Sequence, residues 1–165
     1  MGQEYDEKTL DAIIQKATEE HGSGREAVIP ILAEINQALG FVPAEAFGKI
    51  RRLVNKPEEG LFLADSHLFA TASFYQMFSL TPTGRHVIRF CESAPCHVVG
   101  AREVVEAIQS HLGVEVGGTT ADRNFTLRAT SCLGICSVGP VFLVDDDMYG
   151  NVTPERVPGI LAKYS

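Results

Sequence analysis

Four cysteines lie in this chain as two tight pairs, Cys91 with Cys96 and Cys132 with Cys136, and none is left over. The pattern is C-x4-C, then about 35 residues, then C-x3-C. Four thiolates are the donor set of a [2Fe–2S] cluster or of a structural zinc ion. A disulfide framework is the third reading of an even count. Two features argue against disulfides. The opening Met1-Gly2-Gln3-Glu4-Tyr5-Asp6-Glu7 has no charged-then-apolar leader. A chain of 165 residues also buries enough core to stand without staples. Zinc ribbons usually carry C-x2-C knuckles, a spacing neither pair has. The wider C-x4-C opens the plant-type [2Fe–2S] pattern. Spacing alone leaves iron–sulfur and zinc both open, with iron–sulfur ahead.

The elements that must position these thiols fall into two parts. Residues 7 to 79 read as helices. Leu10, Ile13, Ile14 and Ala17 recur at helical spacing, and His21-Gly22-Ser23-Gly24 breaks the segment. Val28, Ile31, Leu32, Ile35 and Leu39 form the next apolar stripe, with Pro30 in the first turn and Gly40 at the expected C-cap. Pro43 opens a third helix that carries Phe47, Ile50 and Leu53 inward and closes before Pro57. A fourth runs from about Leu63 to Phe74. After Thr81-Pro82-Thr83-Gly84 the period changes. His86 to Cys91 is a strand ending at the first thiol. Residues 98 to 112 read as one helix with Val99, Val104, Val105, Ile108 and Leu112 inward. Phe125 to Thr130 and Val141 to Val144 are strands, and Asp145-Asp146-Asp147 turns the latter into Met148-Tyr149. Thr153 is the expected N-cap of a last helix, with Pro154 at its first position. The expected architecture is α/β, with a helical bundle over 1–80 and a small mixed sheet over 81–165.

Composition narrows the class. An apolar fraction of 45% is that of an ordinary globule. No run of eighteen apolar residues exists, so no membrane insertion is expected. A net charge of −7 argues against nucleic acid. Thiols kept for a cofactor fit a reducing compartment, and the cytoplasm is the expected location.

The words around the cysteines go further. Ser73-Phe74-Tyr75-Gln76-Met77-Phe78, Arg89-Phe90-Cys91-Glu92-Ser93-Ala94-Pro95-Cys96 and Cys132-Leu133-Gly134-Ile135-Cys136 occur in that order. Upstream lies Ile35-Asn36-Gln37-Ala38-Leu39-Gly40-Phe41-Val42-Pro43, and downstream Pro140-Val141, Tyr149 and Asn151-Val152-Thr153-Pro154-Glu155. Together, over roughly residues 25 to 165, they resemble the family of thioredoxin-like [2Fe–2S] E subunits. That family serves NADH:quinone oxidoreductase (complex I) and related NAD(P)-linked hydrogenases and formate dehydrogenases. Three departures stand out: Gly139 before Pro140 where the family usually has alanine, a loosened Leu68-Phe69-Ala70-Thr71-Ala72-Ser73-Phe74-Tyr75, and a longer Lys56-Pro57-Glu58-Glu59-Gly60. They tilt the expectation toward a soluble enzyme, electron-bifurcating types included, over respiratory complex I.

The resemblance implies a thioredoxin-like ferredoxin domain holding one [2Fe–2S] cluster on Cys91, Cys96, Cys132 and Cys136. The natural assignment is pairwise: Cys91 and Cys96 on one iron, Cys132 and Cys136 on the other. The resulting anion needs backbone N–H groups, and Gly134 and Gly139 are expected to reach unusual φ that turns N–H vectors toward sulfur; ordinary loop punctuation is the alternative for Gly139. His97 follows Cys96 directly but is expected to point away as a helix-start residue. Four thiolates and no imidazole imply a low potential. No open coordination position, general base or substrate pocket can be named, so the chemistry is one-electron transfer by a subunit without a catalytic pocket of its own. Neither GxGxxG nor a P-loop is present, so FMN, NAD(P) and further Fe–S clusters are expected on partners: a flavin- and NAD(P)-binding Fe–S subunit and, through it, a hydrogenase, formate dehydrogenase or quinone-reducing module. The helical residues are expected to dock that partner. Two other readings compete: a zinc-binding interaction module without redox function, and a free-standing ferredoxin, which the long helical region disfavours.

Overall fold

The computed structural model describes residues 5–54 and 62–164. The chain forms two compact units, Met1–Pro82 and Thr83–Ser165.

The first unit is helical. Helix α1 (Glu7–His21) starts at Asp6, whose carboxylate accepts the Lys8 N–H at 3.3 Å, and stops at Gly22 with φ +84°. Helix α2 (Val28–Leu39) follows a 3-10 turn, and Pro30 falls in its first turn, where an N–H would have no intrahelical acceptor. Gly40, with φ +77°, closes α2 by a left-handed cap. Helix α3 (Ala44–Val54) begins directly after Pro43, and α4 spans Asp65–Phe74. Leu10, Ile14, Ile31, Leu32, Ile35, Phe47, Ile50 and Leu68 share one core. Leu53, expected inward, is exposed; Val54 takes the core position, because Phe47, Ile50 and Val54 follow the i, i+3, i+7 stripe. The Asn36 amide explains its place in the Ile35–Pro43 word: it donates to Met77 O at 3.3 Å and accepts from Ser79 N–H at 2.8 Å, tying α2 to the segment after α4. The closure before Pro57 and the Lys56–Gly60 stretch lie outside the described residues.

The second unit carries a four-stranded mixed sheet of order β2-β1-β3-β4. Its strands are β1 (His86–Cys91), β2 (Phe125–Thr130), β3 (Phe142–Val144) and β4 (Asp147–Tyr149). β1 and β2 are parallel, with His86 opposite Phe125 and Cys91 opposite Thr130. β3 is antiparallel to β1, and β4 to β3. A parallel pair needs a crossover, and helices supply it. The single helix expected over 98–112 is two, α5 (Ala94–Val98) and α6 (Ala101–Leu112), parted at Gly100 with φ +99°. Val99 is therefore 53% exposed rather than inward, while Val104 and Ile108 enter the core with Ile88, Phe90, Leu127, Phe142 and Val157.

The chain after β4 also departs from expectation. A 3-10 turn, Pro154–Arg156, precedes α7 (Val157–Leu161), and Thr153 makes no side-chain cap bond. Its hydroxyl bonds Glu155 instead and holds that carboxyl below its ordinary value. Tyr164, past α7, donates to Asp147 at 2.6 Å and lies 2.7 Å from the Tyr149 hydroxyl, fastening the chain end to β4. Along the outer side of β2, Gly117 and Thr120 donate to Leu127 O at 2.7 Å and Phe125 O at 2.8 Å, and Leu127 donates to Gly118 O at 3.0 Å. Among the described residues no helix is long and apolar enough to cross a membrane.

Candidate metal centre

Cys91 is the last residue of β1 and stands in register with Thr130, the last residue of β2. Because these neighbouring strands run parallel, both carry their following segments out at the same end of the sheet. Cys132 comes two residues after β2. Two of the four thiols lie in short helical turns rather than in open loops. Cys96 sits inside the short helix α5, and Cys136 opens a 3-10 turn, Cys136–Val138.

The two pairs differ in environment. Cys91 and Cys96 are each 1% exposed, whereas Cys132 and Cys136 are exposed, with their sulfurs 3.8 Å apart. Leu133 and Ile135, between the outer two cysteines, pack on Cys91, Cys96, Ala101 and Val141. This apolar contact brings the second thiol-bearing segment onto the first. The thiols also sense one another: the charge of Cys91 acts on Cys136, and that of Cys136 on Cys96.

Burial works to raise the Cys91 thiol. N–H donors from Ser93 and Leu133, with the Cys96 thiol and the Ser93 side chain, outweigh it and hold Cys91 below the ordinary thiol value. Burial, the bond to Cys91 and its charge push Cys96 up to about 11. Cys136 is raised by its bond to Cys132 and by the Cys132 charge. A negative sulfur on Cys91 opposes ionisation of Cys96, and one on Cys132 opposes ionisation of Cys136; a cation bound to the sulfurs would relieve both.

Gly134 behaves as its sequence context predicts: φ is +79°, and its N–H donates to Cys132 Sγ at 3.3 Å. Gly139 does not. Its φ is −64°, an angle open to any residue, and its N–H goes to Cys136 O at 3.2 Å. Room is what it supplies, since a Cβ there would stand 3.1 Å from Val99 Cγ2 and 3.5 Å from Cys96 Sγ. His97 is exposed and lies in the last turn of α5, not at a helix start. No sequence signal pointed to a cavity of about 390 Å³ beside Cys91, lined in part by Phe90, His97, Arg102 and Glu106. Its Arg102 and Glu106 engage each other at 2.9 Å rather than an open space.

The donor set therefore fits a soft metal group. All four candidate atoms are sulfur, they belong to two segments held together, and N–H groups of Ser93, Leu133, Gly134 and Val141 serve three of the sulfurs. Comparisons with known proteins agree. A family model for the thioredoxin-like [2Fe–2S] ferredoxin matches residues 12–165. The E subunit of NADH-quinone oxidoreductase from Escherichia coli (strain K12) is 36% identical over 140 residues, covering 85% of this chain and 80% of that one. Its counterpart from Pseudomonas aeruginosa is 37% identical over 140 residues, with the same coverage. Among solved structures, the fold is similar to part of the NAD+-reducing [NiFe]-hydrogenase in its air-oxidised state, with a TM-score of 0.63 at 24% identity over 81% of this chain. The chain spans 22% of that hydrogenase chain. It belongs to the thioredoxin-like [2Fe–2S] ferredoxins, the family that includes the E subunit of NADH-quinone oxidoreductases, and carries one [2Fe–2S] cluster.

Proposed function

We propose that Cys91, Cys96, Cys132 and Cys136 are the cluster ligands, paired as Cys91 with Cys96 and Cys132 with Cys136. On this reading the chain serves as the one-electron carrier of a multi-subunit NAD(P)H-linked oxidoreductase. The observation that carries this reading is the delivery of both thiol pairs to one end of the parallel β1–β2 pair, with Leu133 and Ile135 packed on the buried pair. Bound there, the cluster supplies one-electron transfer at low potential. The polypeptide does the rest. Apolar packing around Cys91 and Cys96 keeps water from two sulfurs, and N–H groups from Ser93, Leu133, Gly134 and Val141 stabilise negative sulfur. The Cys132–Cys136 side stays open to a partner, and α5, which holds Cys96, ends on the bare side chain of Val98 (83% exposed).

The electron partner in this reading is a flavin- and NAD(P)-binding Fe–S subunit. The first unit docks it, which accords with an exposed apolar group on and after α4 that includes Phe69, Phe74 and Met77. The finer assignment favours a soluble hydrogenase or formate dehydrogenase over a respiratory complex, on the departures at Gly139 and Leu68–Tyr75. Co-purification with a hydrogenase or formate dehydrogenase catalytic subunit, rather than with quinone-reducing membrane subunits, is the expected result.

The ligand assignment is tested by an anaerobic visible spectrum and reduced-state EPR of the purified chain, with iron, sulfide and zinc assayed together. Two irons and two sulfides per chain, and an EPR signal on reduction, are expected from a [2Fe–2S] carrier. One zinc, no sulfide and no colour would overturn the reading in favour of a zinc-held interaction module.

A further inference from the structure

The segment after β4 carries no thiol, yet it grips the loop that carries Cys136. Asn151 N–H donates to Val138 O at 2.6 Å, and Val152 N–H donates to Pro140 O at 3.2 Å. Both acceptors lie within four residues of Cys136. Gly150 is fitted against the same loop: a Cβ there would stand 2.9 Å from Val138 Cβ and Cγ2 and 3.0 Å from Val138 O. Backbone oxygen cannot yield as a flexible side chain can, so only glycine allows this approach. Asn151 itself is held at φ +48°, a left-handed conformation that asparagine tolerates better than most residues. Arg156 Nη1 fixes it there by donating to Asn151 O at 2.9 Å.

A continuous path of contacts thus runs from Arg156, in the turn before α7, through Asn151 to the Cys136 loop. We infer that Gly150, Asn151 and Arg156 are positioning residues for the Cys136 thiolate, setting where that sulfur stands against the cluster without touching it. This rests on the proposal that Cys136 is a ligand. Groups that orient metal ligands from behind typically govern retention and electronic structure of the bound group as well as fold stability. Gly150 meets that description by its close approach to Val138, and Arg156 through one side-chain bond to the Asn151 carbonyl.

The test uses the full-length, cluster-loaded chain. Gly150→Ala is expected to shift the g-values of the reduced-state EPR spectrum and to speed loss of iron to a chelator about tenfold, the low end for outer partners of metal ligands. Gly159→Ala, where a Cβ meets nothing within 4 Å, is the control and leaves both unchanged. Should Gly150→Ala fail to fold, Arg156→Ala decides, because it removes one exposed side-chain bond. It is expected to move the same two readouts in the same direction, and Arg156→Lys, which keeps a donor, to restore them at least in part. Variants that fold and melt at lower temperature but keep the parent's EPR spectrum and iron-release rate would overturn the inference, leaving the segment a merely structural prop. A parent chain that holds no cluster would instead defeat the ligand assignment, so the two failures are told apart.

Discussion

At the scale of single residues, chemistry and geometry divide the glycines of the ligand loops into two kinds. Gly134 is required by conformation, for its φ of +79° turns an N–H toward Cys132 Sγ while a Cβ would meet nothing within 4 Å. Gly134→Ala should therefore cost about 1–2 kcal/mol of stability from the left-handed backbone alone, measured by urea denaturation, with the visible spectrum of the loaded protein retained. Gly139 has a backbone that would suit other residues, and an added Cβ would press on Val99 Cγ2 at 3.1 Å. The cysteines themselves were legible in the sequence, as their count and spacing admit few readings. The distinction between the two glycines was not, because φ and the distance to Val99 are products of the assembled fold. Replacing any of Cys91, Cys96, Cys132 or Cys136 with Ala is expected to lose or scramble the cluster. Four variants with the parent's visible spectrum would contradict the ligand set.

Elements show where local pattern decides structure and where packing overrides it. The apolar stripes of α1 and α2 predicted most of their buried faces, since a long amphipathic helix has one way to face a core. Ile13 and Leu39, at the margins, are only partly buried. The stretch from 98 to 112 kept helical spacing but concealed the break at Gly100, whose left-handed backbone ends α5 and rotates Val99 out of phase with Val104 and Ile108. Ile108→Ala should consequently cost about 2–5 kcal/mol by chemical denaturation, and Val99→Ala less than about 0.5 kcal/mol. Equal costs would restore the single-helix reading. Tyr164 ties the chain after α7 to β4, and burial, followed by its bonds to Asp147 and Tyr149, raises its phenol above the ordinary 10.0. The folded state thus holds this proton more tightly than the unfolded chain. Its contribution is whole below about pH 10 and is lost as pH climbs past that value. In Tyr164→Phe the urea midpoint should be lower at neutral pH and fall less steeply above pH 10 than in the parent. A parallel decline in both proteins would show that Tyr164 keeps no such proton.

At the scale of the whole molecule, each unit has an apolar cluster of its own, and the second contains all four thiols. A chain shortened to residues 83–165 is accordingly expected to take up the cluster yet lose co-purification with the flavin subunit proposed as its partner. Unchanged co-purification would remove docking from the helical unit. The change of hydrophobic period after residue 80 made a helical part and a sheet part readable, whereas strand order was not, because register depends on contacts between residues far apart in sequence. That register has a last consequence. The outer side of β2 is bonded over Phe125–Leu127 by residues 117–120, and the opposite outer strand, β4, is three residues long and opens on the charged Asp147. Neither border offers a long row of vacant amides for another chain to extend. At high concentration such a molecule should resist growth into fibrils through its sheet.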